Sequence, residues 1–362
     1  MILTDLGWTA QRARDFLPHA AAGLTPGRVS LEHNHVYRVM TEAGEVLAEL
    51  SGRVRHLASG SQALPVVGDW VGLLVAHAGT APSSAPTTNR ATICLVLPRT
   101  SAFSRQEAGR ETREQVIAAN IDTVLIVSAL DAAPNLRSLE RYLILARQGG
   151  ARPVIILNKA DLCADVPAAV AAVAALAPDL PVHASSTHDG RGFDTIAAYC
   201  AAGQTVAFLG PSGVGKSSII NRLLGHETLK TAEVRAKDRR GRHTSVHRQM
   251  LRLEHGGLVI DTPGMRELQL WDASASLGQT FADVEALGAA CRFRDCRHAQ
   301  EPGCAVKQAV ANGQLAAARY ESYIKLAGER DLFQRRHDEQ AQLAEKRLGR
   351  AASQAMKSRG GQ

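Results

Sequence analysis

Aromatic residues make up only 4% of this 362-residue chain. A surface that binds nucleic acid by stacking many bases needs more of them. Any RNA partner is therefore expected to be gripped mainly through its backbone and shape. Long apolar runs are missing as well. The most apolar stretch, Val166 to Ala177, is alanine-rich and far short of the roughly 20 residues that span a membrane. The N-terminus, MILTDLGWTAQRARDF, lacks the basic start and apolar core of a secretory leader. That predicts a cytoplasmic location and reduced cysteines. Cysteines number six. Cys94, Cys163 and Cys200 stand apart in apolar contexts and read as small core residues, whereas Cys291, Cys296 and Cys304 are crowded together.

What is present is ordinary for a core-forming soluble chain: 45% hydrophobic and 21% charged residues, with a net charge of +7 and a pI near 9.3. The basic balance permits a polyanionic partner. The length allows two or three domains. From Arg28 to about Leu97 short alternating runs are separated by turn signals: VSLEHNHVYRV, GEVLAELSGRV, GDWVGLLVAH and ATICLVL. About five short strands in that span predict a small barrel, OB-like or SH3-like. The loop GTAPSSAPTTN, residues 79–89, is expected to be mobile. From Asn120 onward strands alternate with helices. IDTVLIVSAL, ARPVIILN, LPVHASS, QTVAFL and GGLVID read as strands, with helices over Leu136–Arg147 and Val166–Ala177. That rhythm predicts a parallel sheet covered on both faces. A helix near Ala316 to Ala327 and a charged tail close the chain.

The stretch GPSGVGKSS follows an apolar strand and opens the helix SSIINRLL. In Gly210, Pro211, Ser212, Gly213, Val214, Gly215, Lys216, Ser217 and Ser218, the glycines let backbone N–H groups wrap phosphate oxygens. The helix adds its positive end. Lys216 is expected on the β- and γ-phosphates and Ser217 on Mg²⁺. NKAD, which comprises Asn158, Lys159, Ala160 and Asp161, sits where a buried strand ends. Asp161 can accept from both N1–H and the exocyclic amine of guanine. Asn158 would brace the loop, and Lys159 would lie along the base. Ser185 and Ser186 of HASS end another strand, where backbone N–H groups would meet the guanine carbonyl. In DTPG, Asp261 is expected on Mg²⁺ through water, and Gly264 would sense the γ-phosphate. The basic stretch RRGRHTSVHRQ between these parts fits a segment ordered by γ-phosphate and Mg²⁺. Thr244 is its first candidate for the metal and Ser245 the alternative.

These parts come in an unusual order, with the base-reading loop ahead of the phosphate loop. A site assembled from loops at one sheet edge does not record where the chain begins, and termini close in space tolerate such rearrangement. The expectation is a circularly permuted α/β P-loop GTPase core. Downstream, Cys291, Cys296, His298 and Cys304 follow C-x4-C-x-H-x5-C. Three thiolates and an imidazole suit one structural, tetrahedral Zn²⁺. Arg292, Arg294 and Arg297 on that loop either meet RNA phosphates or form an ordinary solvated face. On the barrel, Arg28, Arg38, Arg53 and Arg55 either line an RNA groove, with Tyr37 or Trp70 stacking, or are exposed arginines beside two core aromatics.

Taken together, NKAD, GPSGVGKSS, GRHTS, DTPG and CRFRDCRHAQEPGC closely resemble the ribosome small subunit-dependent GTPase A (RsgA) family. The resemblance implies an OB-fold RNA-binding domain over residues 28–98 after an extension over 1–27. It also implies a permuted GTPase domain over 99–275, a zinc-binding α-helical domain over 276–330 and a charged tail over 331–362. It implies a monomeric GTP-hydrolysing factor of late small-subunit assembly that binds rRNA and is stimulated by the subunit. The alternative is a nucleotide-gated RNA-binding module whose hydrolysis is incidental. The position after DTPG, often a water-orienting glutamine, is Met265 here. The resemblance assigns the catalytic role to His243 instead.

Overall fold

The computed structural model describes residues 2–33, 36–57, 63–75, 90–106, 114–226, 248–261, 273–335 and 338–339. His243, Thr244, Ser245, Gly264, Met265, the 79–89 loop and residues 340–362 of the tail lie outside the described residues. The chain forms two compact units, Met1–Arg105 with Gln115–Leu268, and Gln106–Glu114 with Gln269–Gln362.

The first unit opens with a short turn of helix at Leu3–Leu6 and α1 (Ala10–Ala21). Five strands follow: β1 (Thr25–His33), β2 (Val36–Thr41), β3 (Gly44–Leu50), β4 (Trp70–Val75) and β5 (Arg90–Val96). They are ordered β1-β2-β3-β5-β4, and β4 pairs back onto β1. This is the closed OB-like barrel expected. Alternate residues point inward, so Val39, Val46, Ala48, Val71, Leu73 and Ile93 fill it. Two local readings need correction. VSLEHNHVYRV is two antiparallel strands, β1 and β2. The SGRV that follows β3 belongs to a helix, α2 (Gly52–Leu57), whose first turn is capped by Ser51 Oγ accepting the Val54 N–H at 3.2 Å.

A two-stranded ribbon, β6 (Ala102–Gln106) with β7 (Glu114–Ala119), leads from the barrel to the α/β sheet. There β8 (Thr123–Ala129), α3 (Leu136–Gln148), β9 (Arg152–Asn158), α4 (Val166–Leu176), β10 (Val182–Ala184), α5 (Phe193–Tyr199), β11 (Thr205–Leu209), α6 (Lys216–Leu224), β12 (Arg248–Arg252) and β13 (Leu258–Asp261) follow in turn. The order β10-β9-β8-β11-β13 is parallel throughout. Val124 to Val127 are all fully buried, as strands covered on both faces must be. Leu125, Val127, Val154, Ile156, Val206 and Phe208 pack with Ile196 of α5 and Ile219 and Leu223 of α6.

β12 is antiparallel to β13 and also to β1, with Leu31 opposite Gln249. One edge of β1 thus serves both sheets. Thr25 to Arg28 pair with β4, and Leu31 and Glu32 then pair with β12; on the opposite edge the ladder with β2 shifts register between Val29 and Leu31.

Arg28 corrects the reading of the barrel arginines. It is 1% exposed. Its guanidinium donates to the carbonyls of Gly68 at 3.1 Å, Leu6 at 2.5 Å and Asn120 at 2.8 Å. Burial pulls it down to about 10, offset in part by Asp122, and it stays charged at neutral pH. Asn120 reinforces the knot: its amide donates to Gly68 O and its Oδ1 accepts from Arg12. Tyr37 and Trp70 are each 1% exposed and have no face for a base. Trp70 packs edge-on against Trp8 and beneath Arg28. Arg38, Arg53 and Arg55 are exposed as expected. Cys200 is a core residue, but Cys94 and Cys163 are only half-buried.

The second unit holds α7 (Ser274–Thr280), α8 (Ala282–Gly288), a cysteine-bearing loop, α9 (Ala305–Ala311) and α10 over residues 317–335. α10 outruns the Ala316–Ala327 expected. Phe281 is fully buried, with Tyr323 edge-on at 5.4 Å and the Arg319 guanidinium over its ring at 4.2 Å. Among the described residues, no helix is long and apolar enough to cross a membrane.

Arg28→Met removes the donors of three buried carbonyls and is expected to cost about 3 kcal/mol or more. Arg38→Ala, on the exposed barrel face, should stay within about 0.5 kcal/mol. Urea unfolding checks both, and equal midpoints would refute the assignment of Arg28 as the joint.

Candidate functional site

The parallel strands end together. Leu209 of β11 lies beside Ile126 of β8, Ala129 of β8 beside Asn158 of β9, and Ala184 of β10 beside Leu157. Asp261 ends β13, one strand over. Ligands of open α/β sheets bind at this edge, and here it gathers the segments that the sequence transposes.

The phosphate-loop residues Gly210 to Gly215 link β11 to α6, with Lys216, Ser217 and Ser218 forming the first turn of α6. Gly210 has φ +142°, and a Cβ there would sit 2.2 Å from the Val127 carbonyl. Gly215 has φ +99°, and its Cβ would sit 2.2 Å from the side-chain nitrogen of Asn158. Both positions demand glycine. Lys216 folds over the loop, its ammonium donating to the carbonyls of Gly210 at 2.8 Å and Pro211 at 2.5 Å. Ser212 and Pro211 are exposed, while Val214 is buried.

Asn158 is fully buried. Its amide donates to the Val214 carbonyl at 2.9 Å, and its Oδ1 accepts from Ser185 Oγ at 3.3 Å. One side chain therefore ties NKAD, HASS and the phosphate loop together. Lys159 adopts the left-handed region, φ +62°, which turns the chain sharply off β9. The Ala160 N–H donates to the Ser185 carbonyl at 3.0 Å. Asp161, exposed, accepts from Ser186 Oγ at 2.5 Å. Ser186 Oγ itself accepts the N–H groups of His188 and Asp189. The Asp161 carboxylate is thus aimed rather than free to swing.

Two residues were not anticipated. Asp131, just beyond the end of β8, accepts from the Lys159 ammonium at 2.6 Å. Arg222 of α6 donates to the Thr187 carbonyl at 2.8 Å and lies over the Phe193 ring at 4.9 Å, a second link between phosphate helix and base-reading loops. Position just past the carboxyl end of a buried strand was the available signal for Asp131. Nothing local marked Arg222.

In the second unit, Cys291, Cys296, His298 and Cys304 place one ligand atom each within 4.8 Å of one another. His298 Nδ1 is 3.5 Å from Cys291 Sγ and 3.4 Å from Cys304 Sγ, and those two sulfurs are 3.9 Å apart. A tetrahedral ion with bonds of about 2.3 Å to sulfur and 2.0 Å to nitrogen requires edges of roughly 3.5–3.8 Å. The donor set fits a metal ion with four protein ligands. His298 turns the loop at φ +60°, and its carbonyl is held by the Tyr320 hydroxyl at 2.6 Å. Burial holds its imidazole below the usual range, which favours the neutral form a metal needs. The Cys296 thiol is pushed up to about 11, by desolvation and then by its thiol neighbours. Thiols so close do not ionise together without a cation among them.

The RsgA GTPase family model matches residues 96–271. The small ribosomal subunit biogenesis GTPase RsgA of Opitutus terrae is 43% identical over 360 residues, 99% of this chain and 98% of that protein. The small ribosomal subunit biogenesis GTPase RsgA 2 of Lactiplantibacillus plantarum is 43% identical over 335 residues, 92% of each chain. Among solved structures, YjeQ from Thermotoga maritima is similar with a TM-score of 0.59 and 27% identity, covering 85% of this chain and 100% of that one. YloQ, described as a circularly permuted GTPase, shares the fold with a TM-score of 0.57 and 24% identity, covering 84% and 94%. By sequence over nearly its whole length, this chain belongs to the RsgA GTPase family.

Proposed function

We propose that this GTPase acts in the biogenesis of the small ribosomal subunit, as the names of its full-length relatives state for those proteins. The observation that carries the reading is the buried Asn158–Val214 hydrogen bond at 2.9 Å, which supports a single guanine-nucleotide site built from the transposed NKAD and phosphate-loop segments. In this reading Gly210 to Ser218 hold the phosphates. Asp161 reads guanine, Asn158, Ala160 and the Ser185–Ser186 turn shape the base pocket, and Lys159 lies along the base. GTP hydrolysis implies Mg²⁺. Ser217, Asp261 and Thr244 are its proposed partners, Gly264 is the proposed γ-phosphate sensor, and His243 orients or deprotonates the attacking water. The cysteine cluster takes one structural Zn²⁺. The protein acts as a cytoplasmic monomer on rRNA of the subunit, with the exposed Arg38, Arg53 and Arg55 of the barrel meeting phosphates. The domain limits 28–98, 99–275 and 276–330 go with this reading.

Asp131 enters it as a positioning residue. Its carboxylate holds the Lys159 ammonium, so the aliphatic stem is fixed where the base would stack.

Turnover of GTP should rise when purified small subunits are added. His243→Ala should lower the stimulated rate by roughly a hundredfold or more with GDP affinity unchanged. Turnover indifferent to subunits would leave an RNA-binding module, and full stimulation of the variant would clear His243.

Asp131→Ala should weaken GDP about threefold to tenfold, the scale of a partly exposed ion pair of ~1 kcal/mol. Titration with a fluorescent GDP reads this. Asp131→Glu should restore affinity, and a change in the unfolding midpoint without a change in affinity would contradict the role.

Elemental analysis should find one zinc per chain. Cys291→Ser should release it and raise hydrogen exchange across residues 273–335. Unchanged exchange after zinc loss would show that the metal does not hold the unit.

A further inference from the structure

The loop between the first two cysteines of the cluster carries an aromatic ring on its outside. Phe293 is 41% exposed, whereas Phe16, Phe103, Phe208 and Phe281 are each buried to 6% or less. Arg292, Arg294 and Arg297 flank it and are all exposed. The Arg292 guanidinium lies 5.5 Å from the ring centroid. A single exposed hydrophobe is unremarkable on a protein surface, so the case rests on how this one is mounted.

The Cys296 N–H donates to the Phe293 carbonyl at 3.3 Å, which closes a tight turn through Arg294 and Asp295. The Arg292 N–H donates to the Gly303 carbonyl at 3.2 Å, pinning the other side. Beyond Cys296, the Arg297 N–H donates to Glu301 Oε1 at 3.1 Å. The loop that carries this turn begins at Cys291 and ends at Cys296, both members of the candidate metal cluster. The ring is therefore held outward on a short, cross-linked loop, and little conformational freedom remains to be lost on binding. An apolar face among guanidiniums matches an unpaired nucleotide, whose base offers a π-face and whose phosphates carry the negative charge. A buried protein–protein contact would instead leave three guanidiniums to be desolvated.

We propose that Phe293 is a stacking platform for one unpaired base of RNA, with Arg292, Arg294 and Arg297 gripping the adjoining phosphates. This rests on the reading of the partner as RNA and adds a base-level contact to a chain too poor in aromatics to make many.

The test is fluorescence anisotropy of the full-length, zinc-loaded protein with a labelled oligoadenylate and with an abasic strand of equal length. Phe293→Ala should weaken oligoadenylate about tenfold and leave the abasic strand unaffected. Phe293→Trp should bind at least as tightly as the native protein, and Phe293→Leu should not rescue. In salt titrations the Phe293→Ala line should run parallel to the native one, since stacking releases no counterions. Arg294→Ala should flatten the slope. Rescue by leucine would show that the contact needs no π-face and would overturn the proposal. Equal loss on the abasic strand, or failure of the native protein to prefer bases over the abasic strand, would overturn it too. GTP turnover without RNA should be the same in every variant, so a failure here stays distinct from a failure of the nucleotide site.

Discussion

One carboxamide holds the candidate nucleotide site in register. Asn158 is fully buried at the end of β9, and it spends its donor on Val214 and its acceptor on Ser185. A buried amide left without these partners would carry the desolvation cost of each group, so the three loops are stable in this arrangement or not at all. The geometry reaches into the phosphate loop, because Gly215 can approach Asn158 only without a Cβ. The motif glycine thus answers two demands at once: a left-handed backbone and room for the Asn158 side chain that links the NKAD turn to the loop.

That bond also explains why reordering the chain is harmless. Neither Asn158 nor Val214 depends on which of them is synthesised first. The parallel sheet aligns their strand ends through β8, which pairs with β9 on one side and β11 on the other. Reordering does leave a question of attachment, namely what sits before β8. Here the barrel does, and it is joined by more than its linker. β1 parts from β4 after Arg28 and pairs with β12 at Leu31 and Glu32, while its other edge stays on β2. Arg28, on the same strand, gathers carbonyls from the N-terminal turn, the barrel and the start of the α/β sheet. A charged group with several hydrogen bonds in a low-dielectric setting is costly to disturb, so the barrel is fixed to the sheet by a knot remote from the nucleotide loops.

Much of this was legible from local pattern. Continuous apolar runs bounded by turn residues located β8, β9, β11 and β13, and glycine spacing located the phosphate loop. The misreadings have physical causes. Only Asn34 and His35 separate β1 from β2, and alternation runs across so short a connection without a break in period. SGRV continues an apolar pattern, but Ser51 caps a helix, a signal that propensity at Val54 conceals. Arg28 reads like any barrel arginine because its partners are backbone carbonyls, which no side-chain pattern announces. Asp131 and Lys159 are linked across neighbouring strands, and only the β8–β9 register reveals it.

The second unit obeys a different economy of size. α7, α8 and α9 are seven residues each, too short to persist alone, since a helix of that length does not recover its nucleation cost in water. Packing must supply the difference, and the apolar material is modest: Phe281, Val284, Val306, Leu315 and Leu326 are buried with Tyr323. An ion held by the four-residue cluster would add what this core lacks, because a metal bound only by the folded chain contributes its binding free energy to folding. It would also hold His298 in its left-handed conformation. With the loop gathered inward at Cys291, Cys296, His298 and Cys304, its outward residues need not contribute to the core, and Phe293 and its arginines face solvent.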